Sequence, residues 1–482
     1  MHDTPKLAAL AAECLAGILQ DSLKDGRMAF DEFERESIRV GHEAIAAAMS
    51  IALERRDTGL CSELPDGCVV HDMRRRTLAT QAGDVEFRYR RVRDEQGATI
   101  IPLADDLDIP WSARVSPGAR AFLVEAGADV SYAGAARLLA RAGGSKVSPT
   151  TVMACMRRAG ALCREEDELV AEGLFGEGVL PGGAVRAEEV CTEADGIWVA
   201  LQGKDREGAE KAEVKAMVAY SGKTARGRKV ERADVVRHAC VGSPQAFWPE
   251  AVGAMGSAFD MGSLRRVHHG TDGEAWCQGL RAYLPMRIEV VGHLDPFHVN
   301  RAIFSAFDDD KAAWQVIGVL ADGGRDAAVS LMEACVEMGV ARERRGREVL
   351  AYLRNQAPIL AVGGPSLGTM ESENQHLYGC RMKAFPCAWS RRGASDMARI
   401  RSRVHSGREI PKPARGASAT PKRLRRDAAR EERFWESRVL PASKVVQSVG
   451  KGSEPMSASL ASSSREVRYA AGLDGGMIGI PW

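Results

Sequence analysis

An excess of charge of either sign is missing from this 482-residue chain: 66 Lys plus Arg stand against 65 Asp plus Glu, for a formal net charge of +1. Any attraction to a polyanion must therefore come from local asymmetry. No uninterrupted apolar run reaches the roughly 18 residues that a membrane span needs, so an integral membrane helix is excluded. The apolar opening at residues 7–19 is broken by Glu13 and lacks a small-residue cleavage pattern, which argues against a signal peptide. The cysteines number 11, an odd count without a Cys-x-x-Cys pair, which argues against a disulfide framework and for a reducing compartment, the cytoplasm. What is present is ordinary globular composition, 45% hydrophobic and 27% charged. At roughly 100 to 200 residues per domain, such a length predicts about three units.

Along the chain, Phe30, Phe33, Ile38, Ile45, Met49 and Leu53 recur at helical spacing, giving a long amphipathic helix for packing or self-association. Val85, Phe87 and Tyr89 alternate with Glu86, Arg88 and Arg90, so residues 77–103 read as a small antiparallel sheet with one basic face. Cys61, Cys68 and His71 precede it, but their Cys-x6-Cys-x2-His spacing fits no standard zinc finger and reads as unliganded cysteines. Ser131 opens a helix that ends at Gly143-Gly144, and Ser148-Pro149 opens a second one through Arg158, the punctuation of a helix-turn-helix. Base-reading side chains sit early in such a second helix, which selects Thr150, Thr151 and Met153, with Arg157 and Arg158 later on it. A packed helical hairpin fits these residues equally well.

A glycine-rich break follows, then strand signals at residues 190–202, 213–220 and 229–240, a helix at 244–259, a strand at 265–271, a helix at 274–283 and a strand at 287–294. Three strands followed by alternating helix and strand make an α/β sheet whose later strands run parallel. Residues 300–358 carry helical signal only. Basic residues crowd the stretch from Arg381 to Arg430, against few acids, and serine and small residues fill 443–465. The expected organisation is a helical region 1–60, a small β-sheet region 61–115, a helix-turn-helix-like region 116–172, a linker 173–187, an α/β core 188–299 and 359–405, a helical insertion 300–358, and a basic, Ser-rich, largely disordered tail 406–482. The apolar character of the last residues to Trp482 has no reading.

Asp195 interrupts an otherwise apolar strand, and a carboxylate buried there needs a partner charge or a metal. Asp272 and Asp295 each end a strand, where α/β sheets place their sites, and Glu371-Ser372-Glu373-Asn374 opens a later helix. In these blocks, together with Glu213-Val214-Lys215, Arg381-Met382-Lys383 and Trp389-Ser390, residues 30–403 resemble bacterial insertion-sequence transposases of the ISLre group, whose RNase H-like core is related to Mutator-like transposases. The resemblance implies an RNase H-like mixed sheet with a helical insertion, behind a mainly helical DNA-binding region. It implies a catalytic, metal-binding triad of Asp195, Asp272 and Glu371. Glu373 is the competitor for the last position, but residues two apart on a helix point about 200° apart, so only one serves. Asp295 competes with Asp272, and Asp295 with His298 reads better as a pair that supports the site than as ligands. One of His268 and His269 reads as a core residue. The relatives' Cys-x-x-Cys element near the amino-terminal sheet is missing here, which removes a zinc-ribbon role.

Three carboxylates can hold two Mg2+ ions, with Mn2+ as the alternative, roughly 3.5 to 4 Å apart for in-line displacement at phosphorus. The implied partners are double-stranded DNA, both element ends and target, and further copies of the chain on that DNA, with the protein nucleoid-associated and without a membrane partner. Arg381, Lys383, Arg391 and Arg392, with the basic residues beyond them, are expected to grip phosphates. A nuclease that cuts without joining, and a DNA-binding protein with a derelict acidic site, are the alternatives.

Overall fold

The computed structural model describes residues 4–23, 28–110, 112–226, 229–360, 364–365, 367–383 and 387–412. They form a mixed α/β protein of two compact units, residues 4–159 and 160–411.

In the first unit, helices Thr4–Leu23 and Phe30–Ser62 precede strands β1 (Val69–Thr80), β2 (Gly83–Arg93) and β3 (Thr99–Ile100), paired antiparallel in that order. β3 covers only the end of β2, at Val92 and Arg93. The helix Phe30–Ser62 satisfies part of the remaining edge. Ser50 Oγ donates to Glu86 O at 2.5 Å, Arg88 N donates to Glu54 Oε1 at 2.9 Å, and Arg90 N donates to Asp57 Oδ1 at 3.1 Å. Helical steps of three to four residues thus track strand steps of two, because about 5.4 Å of helix matches about 6.6 Å of strand. Leu78, Val85 and Phe87 face Leu53 and Leu60 of the same helix as the unit's apolar core.

Three helices follow, Pro117–Asp129, Tyr132–Gly143 and Pro149–Phe175. Ser116, Ser131 and Ser148 cap them by accepting from Ala119 N, Gly134 N and Thr151 N, each at 3.1 Å. The last helix does not stop near Arg158 as expected. It continues to Phe175 because its second half packs in the other unit, where Gly160 admits Asp396: a Cβ at Gly160 would lie 2.3 Å from that of Asp396.

The second unit is built on strands β4 (Glu189–Ala200), β5 (Lys211–Tyr220), β8 (Val236–Cys240), β9 (Arg266–Thr271) and β10 (Glu289–Leu294), with β6 (Gly222–Arg226) and β7 (Lys229–Ala233) forming a separate hairpin. The order across the sheet is β10-β9-β4-β5-β8; β4, β5 and β8 are antiparallel neighbours, and β9 and β10 run parallel to β4. The single strand expected over 229–240 is divided because Asp234 takes a left-handed turn (φ 52°), its carboxylate accepting from Ser221 Oγ at 2.5 Å. Val190, Ala194, Met217 and Ala219 face one side and pack on Phe247, Trp248 and Met255 of the helix Pro244–Ala258. Helices Pro296–Ser305, Asp310–Ala321, Arg325–Glu337 and Glu343–Asn355 form the insertion around Ile303, Ile317, Met332 and Leu353. The expected helix at 274–283 is a 3-10 turn, Cys277–Tyr283, behind the positive-φ Gly273.

In the helix Arg391–Val404, three arginines of the stretch expected to grip phosphates are turned inward. Arg399, Arg401 and Arg403 are buried. Arg399 pairs with Asp167 at 2.6 Å and Glu250 at 2.7 Å, and Arg403 pairs with Asp167 at 2.6 Å and with Glu166. Arg401 Nε donates to Leu377 O at 2.6 Å. These arginines join the helix Pro149–Phe175, the helix Pro244–Ala258 and the segment around Leu377 to their own helix. From residue 413 onward the expected tail, including Arg415, Arg430 and the last residues to Trp482, lies outside the described residues.

Removing one member of a buried ion network leaves the rest uncompensated, so Asp167→Ala is expected to cost about 3–5 kcal/mol. The partly exposed Glu166→Ala should cost no more than about 1 kcal/mol. Urea unfolding of both variants checks the pair, and equal losses would show that burial of Asp167 does not govern the network.

Candidate active site

Strand register places the acids. Ala194 lies opposite Thr271, and Leu294 lies opposite Thr271 from the other side. Asp195, Asp272 and Asp295 therefore stand in one row where the parallel pairing of three adjacent strands stops, at the ends of β9 and β10 and in the middle of the longer β4, about 4.8 Å apart from strand to strand. Asp195 alternates with Ala194, so its side chain leaves the face that packs on Phe247 and Trp248. Above it runs a helix that begins at Met370–Ser372, passes through a π-helical segment Glu373–Gly379 and ends at Cys380–Met382. Ligand atoms of Asp195, Glu371 and His298 come within 4.8 Å of one another. Asn374, one turn beyond Glu371, donates Nδ2 to Asp195 Oδ2 at 2.7 Å, while its own Oδ1 is buried without a hydrogen-bond partner among the described residues.

The electrostatics are strained. Burial pushes the Asp195 carboxyl well above its ordinary range, the neighbouring Asp272 pushes it further, and Glu371 and Glu274 add to this against the opposing Gly196 N–H bond. Glu274 is pushed up to about 7, by burial and then by Asp272 and Glu213. Such congestion fits a divalent cation, which replaces repulsion by coordination and gives the orphan Asn374 oxygen a bound water to accept from.

Asp272 stands beside this group rather than in it. Its Oδ1 accepts from Glu274 N at 2.8 Å, and its carbonyl accepts from Tyr352 Oη at 3.2 Å. Asp295 is a helix cap: its Oδ1 accepts from Phe297 N at 2.9 Å, presenting His298 in the first turn of Pro296–Ser305. Asp295 and His298 interact by charge, and of the two it is His298 whose ligand atom lies near those of Asp195 and Glu371. Glu373 points away, bound by Arg237 at 2.6 Å and by Arg232, which hold its carboxyl below the ordinary range against its burial. His269 is the core histidine: burial lowers it to about 4, with Nδ1 2.8 Å from Thr192 Oγ1 and Nε2 2.7 Å from Cys277 O. His268 instead meets His293, Nδ1 to Nε2, at 2.9 Å.

Glu193 carries no role in the sequence reading, yet it sets the helix that bears Glu371. It is 2% exposed and accepts from Tyr220 Oη (2.7 Å), Thr369 Oγ1 (2.6 Å), Gly368 N (2.8 Å), Thr369 N (2.6 Å) and Met370 N (3.2 Å). It is a strand carboxylate capping another element's helix N-terminus. Gly270 on β9 makes the room, since a Cβ there would lie 3.2 Å from Glu193 Cγ.

A second group of potential ligands, His238, Cys240 and Glu250, is buried on the other side of the unit. Arg399 already neutralises Glu250 at 2.7 Å and His238 lies 3.1 Å from it, so this group belongs to the ion network rather than to a metal. Cys61, Cys68 and His71 form no such group among the described residues.

Of the residues expected on DNA, Thr150 and Arg157 are exposed, and Met153 and Arg158 are half-buried. Thr151 is half-buried with its hydroxyl 2.9 Å from Ser148 Oγ. Lys383 is exposed, Arg381 lies 5.2 Å over the Trp389 ring, Arg391 N donates to Asp205 at 2.8 Å, and Arg392 lies 3.8 Å from Asp396.

Two outcomes follow from this geometry. Because the folded Asp195 carboxyl titrates above its unfolded value, its contribution to stability is present at low pH and lost as pH rises through the folded value. Metal-free Asp195→Asn should therefore melt above wild type at pH 8, by about 2–4 °C for each kcal/mol relieved, and the gap should close as pH falls toward 5. A pH-independent gap would show that charge is not the cause. Glu193→Gln should lose about 2 kcal/mol in urea, by turning an amide NH2 toward N–H donors. Unchanged stability would remove Glu193 as the cap.

Comparison with known proteins corrects one expectation. The chain is 21% identical over 388 residues, covering 78% of this chain and 83% of the relative, to a Streptococcus gallolyticus protein called "UPF0236 protein in vanSb 3'region". Residues 23–414 match the family described as "Uncharacterised protein family (UPF0236)". This replaces the resemblance to ISLre-group transposases: the span that carried that resemblance falls within a family of another name, and the relative is not called a transposase. By its match over 23–414 the chain belongs to the uncharacterised protein family UPF0236.

Proposed function

We propose that this protein is a metal-dependent phosphoryl-transfer enzyme acting on double-stranded DNA, which cleaves a strand and joins the freed 3' end to a second duplex, as a transposase does. The observation that carries the reading is that Asp195 of β4 lies within ligand distance of Glu371, on a helix about a hundred residues beyond β9, and feels the charge of Asp272 at the end of β9, where the parallel pairing of these strands stops. Numbered by appearance within the five-stranded sheet, the strand order is 3-2-1-4-5 with the first three antiparallel, which supports an RNase H-like core.

In this reading Asp195 and Glu371, with Asp272 beside them, would hold the cations. Two Mg2+ or Mn2+ ions bound there would activate the attacking oxygen and stabilise the leaving one. Glu193 fixes Glu371 through the helix start, and Asn374 fixes Asp195. His269 and the Trp248 indole, which donates to Trp276 O at 2.9 Å, pin the loop that follows Asp272. Lys215 lies 4.5 Å over the Trp276 ring of that loop and pairs with Glu213. Acids alone repel DNA, so phosphate contacts fall to exposed cations such as Arg157 and Lys383, with Thr150 and Met153 for base edges, and copies of the chain assemble on the DNA.

Asp195→Asn, Asp272→Asn and Glu371→Gln are each expected to abolish Mg2+-dependent cleavage of labelled DNA while leaving DNA affinity within about twofold, because ligand charge and phosphate contacts are separate. Glu373→Gln should retain activity. Cleavage by a triad variant would remove that residue from the site; nicking without joined product in wild type would favour a nuclease; absence of both, with binding intact, would favour a derelict site.

A further inference from the structure

We infer that His298 is a direct ligand, with Asp195 and Glu371, of a divalent ion, and that this mixed nitrogen and oxygen set binds Mn2+ more tightly than Mg2+. The inference rests on the metal-dependent reading above and adds to it a ligand that the three-carboxylate triad does not contain.

The geometry supplies the first argument. Ligand atoms around one ion at about 2.1 Å stand about 3 Å apart at right angles and about 4.2 Å apart across it. The nitrogen of His298 and the oxygens of Asp195 and Glu371 already lie within 4.8 Å of one another, so small rotations close the set. Asp272, the expected partner of Asp195, is not a member of that group.

Preorganisation supplies the second. The capping bond from Asp295 to Phe297 N fixes the start of the His298 helix, and the Phe297 ring meets the imidazole edge-on, 5.4 Å between centroids and 85° between planes. The neighbouring carboxylate of Asp295 gives one oxygen to that cap and interacts with His298 by charge. On the opposite side, Asn374 is 6% exposed, donates to Asp195 and leaves Oδ1 unpartnered and buried among the described residues. A buried acceptor without a donor is costly, and an ion-bound water supplies the missing hydrogen. Three protein ligands and one water acceptor describe a site that keeps open positions for phosphate oxygens.

Chemistry supplies the preference. Mg2+ takes oxygen ligands almost to the exclusion of nitrogen, whereas imidazole suits transition ions and carboxylate suits Mn2+, which accepts both.

The test uses the full chain, labelled with 15N-histidine, and Mn2+ alone as the probe. Pulsed EPR of the wild-type protein with sub-stoichiometric Mn2+ is expected to show coupling to a directly bound 15N nucleus. His298→Gln, shown folded by circular dichroism and melting, should lose that coupling. Its Mn2+ affinity should fall at least about tenfold, the loss that even removal of an outer hydrogen-bond partner can bring, while its Mg2+ affinity changes less. Bound Mn2+ without nitrogen coupling, or coupling that persists in folded His298→Gln, overturns the assignment and leaves the metal-dependent reading standing. No Mn2+ binding at millimolar concentration overturns both. If His298→Gln does not fold, the wild-type coupling and a His298→Asp variant, expected to narrow the gap between Mn2+ and Mg2+, decide the question.

Discussion

Carboxylates brought together by a parallel ladder cannot escape one another, because the register that pairs Ala194 with Thr271 and Thr271 with Leu294 also aligns the residues that follow. The fold answers this repulsion selectively. Glu193 and Asp195 lie two residues apart on one strand and one face, yet Glu193 receives five hydrogen bonds, whereas Asp195 receives bonds from Gly196 N and Asn374 Nδ2 and stands among Asp272, Glu371 and Glu274. Glu371 and Glu373 lie two apart on one helix, and only Glu373 is neutralised, by Arg232 and Arg237. Glu193 and Glu373 are thus satisfied by the protein, whereas Asp195 stays in an acidic surrounding. That division, rather than the number of acids, separates a structural carboxylate from a chemical one.

The same logic explains the arginines. In sequence, Arg399, Arg401 and Arg403 belong to a basic stretch that invites a nucleic-acid reading. In space they are interior groups whose charges are consumed by Asp167, Glu250 and Glu166 and by a backbone carbonyl. Buried pairs of this kind add little net stability but penalise every arrangement that separates them. Here they fix the helix Arg391–Val404 against β8 and the helix Pro244–Ala258, and through Leu377 against the π-helical segment. The scaffold of the site is therefore held by charges that a composition count assigns to its ligand.

Much of the second unit was legible because strands and helices there have strong local signatures. Short strands followed by Asp-Gly or Asp-Pro mark β9 and β10, and Asp195 stands out as a charge inside an apolar run. The turn at Asp234 was not legible, since a left-handed aspartate leaves the strand-like pattern of Val230 and Val236 intact. Nor was the continuation of the Pro149–Phe175 helix, whose second half is held by long-range pairs to a segment more than two hundred residues away. Glu193 lay in the strand signal at 190–202 and Asn374 in Glu371-Ser372-Glu373-Asn374, but both were silent, because a cap and an amide bridge exist only once two distant segments meet. His298 was visible as part of Asp-x-x-His; the capping of Phe297 N by Asp295, which separates the two roles, was not.

The π-helical segment ties these points together. A π turn costs hydrogen-bond quality and persists where surrounding contacts determine it, often at functional sites. Glu193 anchors its preceding turn, and Arg237 and Arg232 pull Glu373 to one side. Asn374 is drawn to Asp195 on the other, and Arg401 holds Leu377 O. Those anchors, the acids and His298 all fall within residues 23–414, the span shared with the family, whereas the basic residues from Arg415 onward fall outside it. The chemistry proposed for the site therefore rests on the part of the chain that defines family membership.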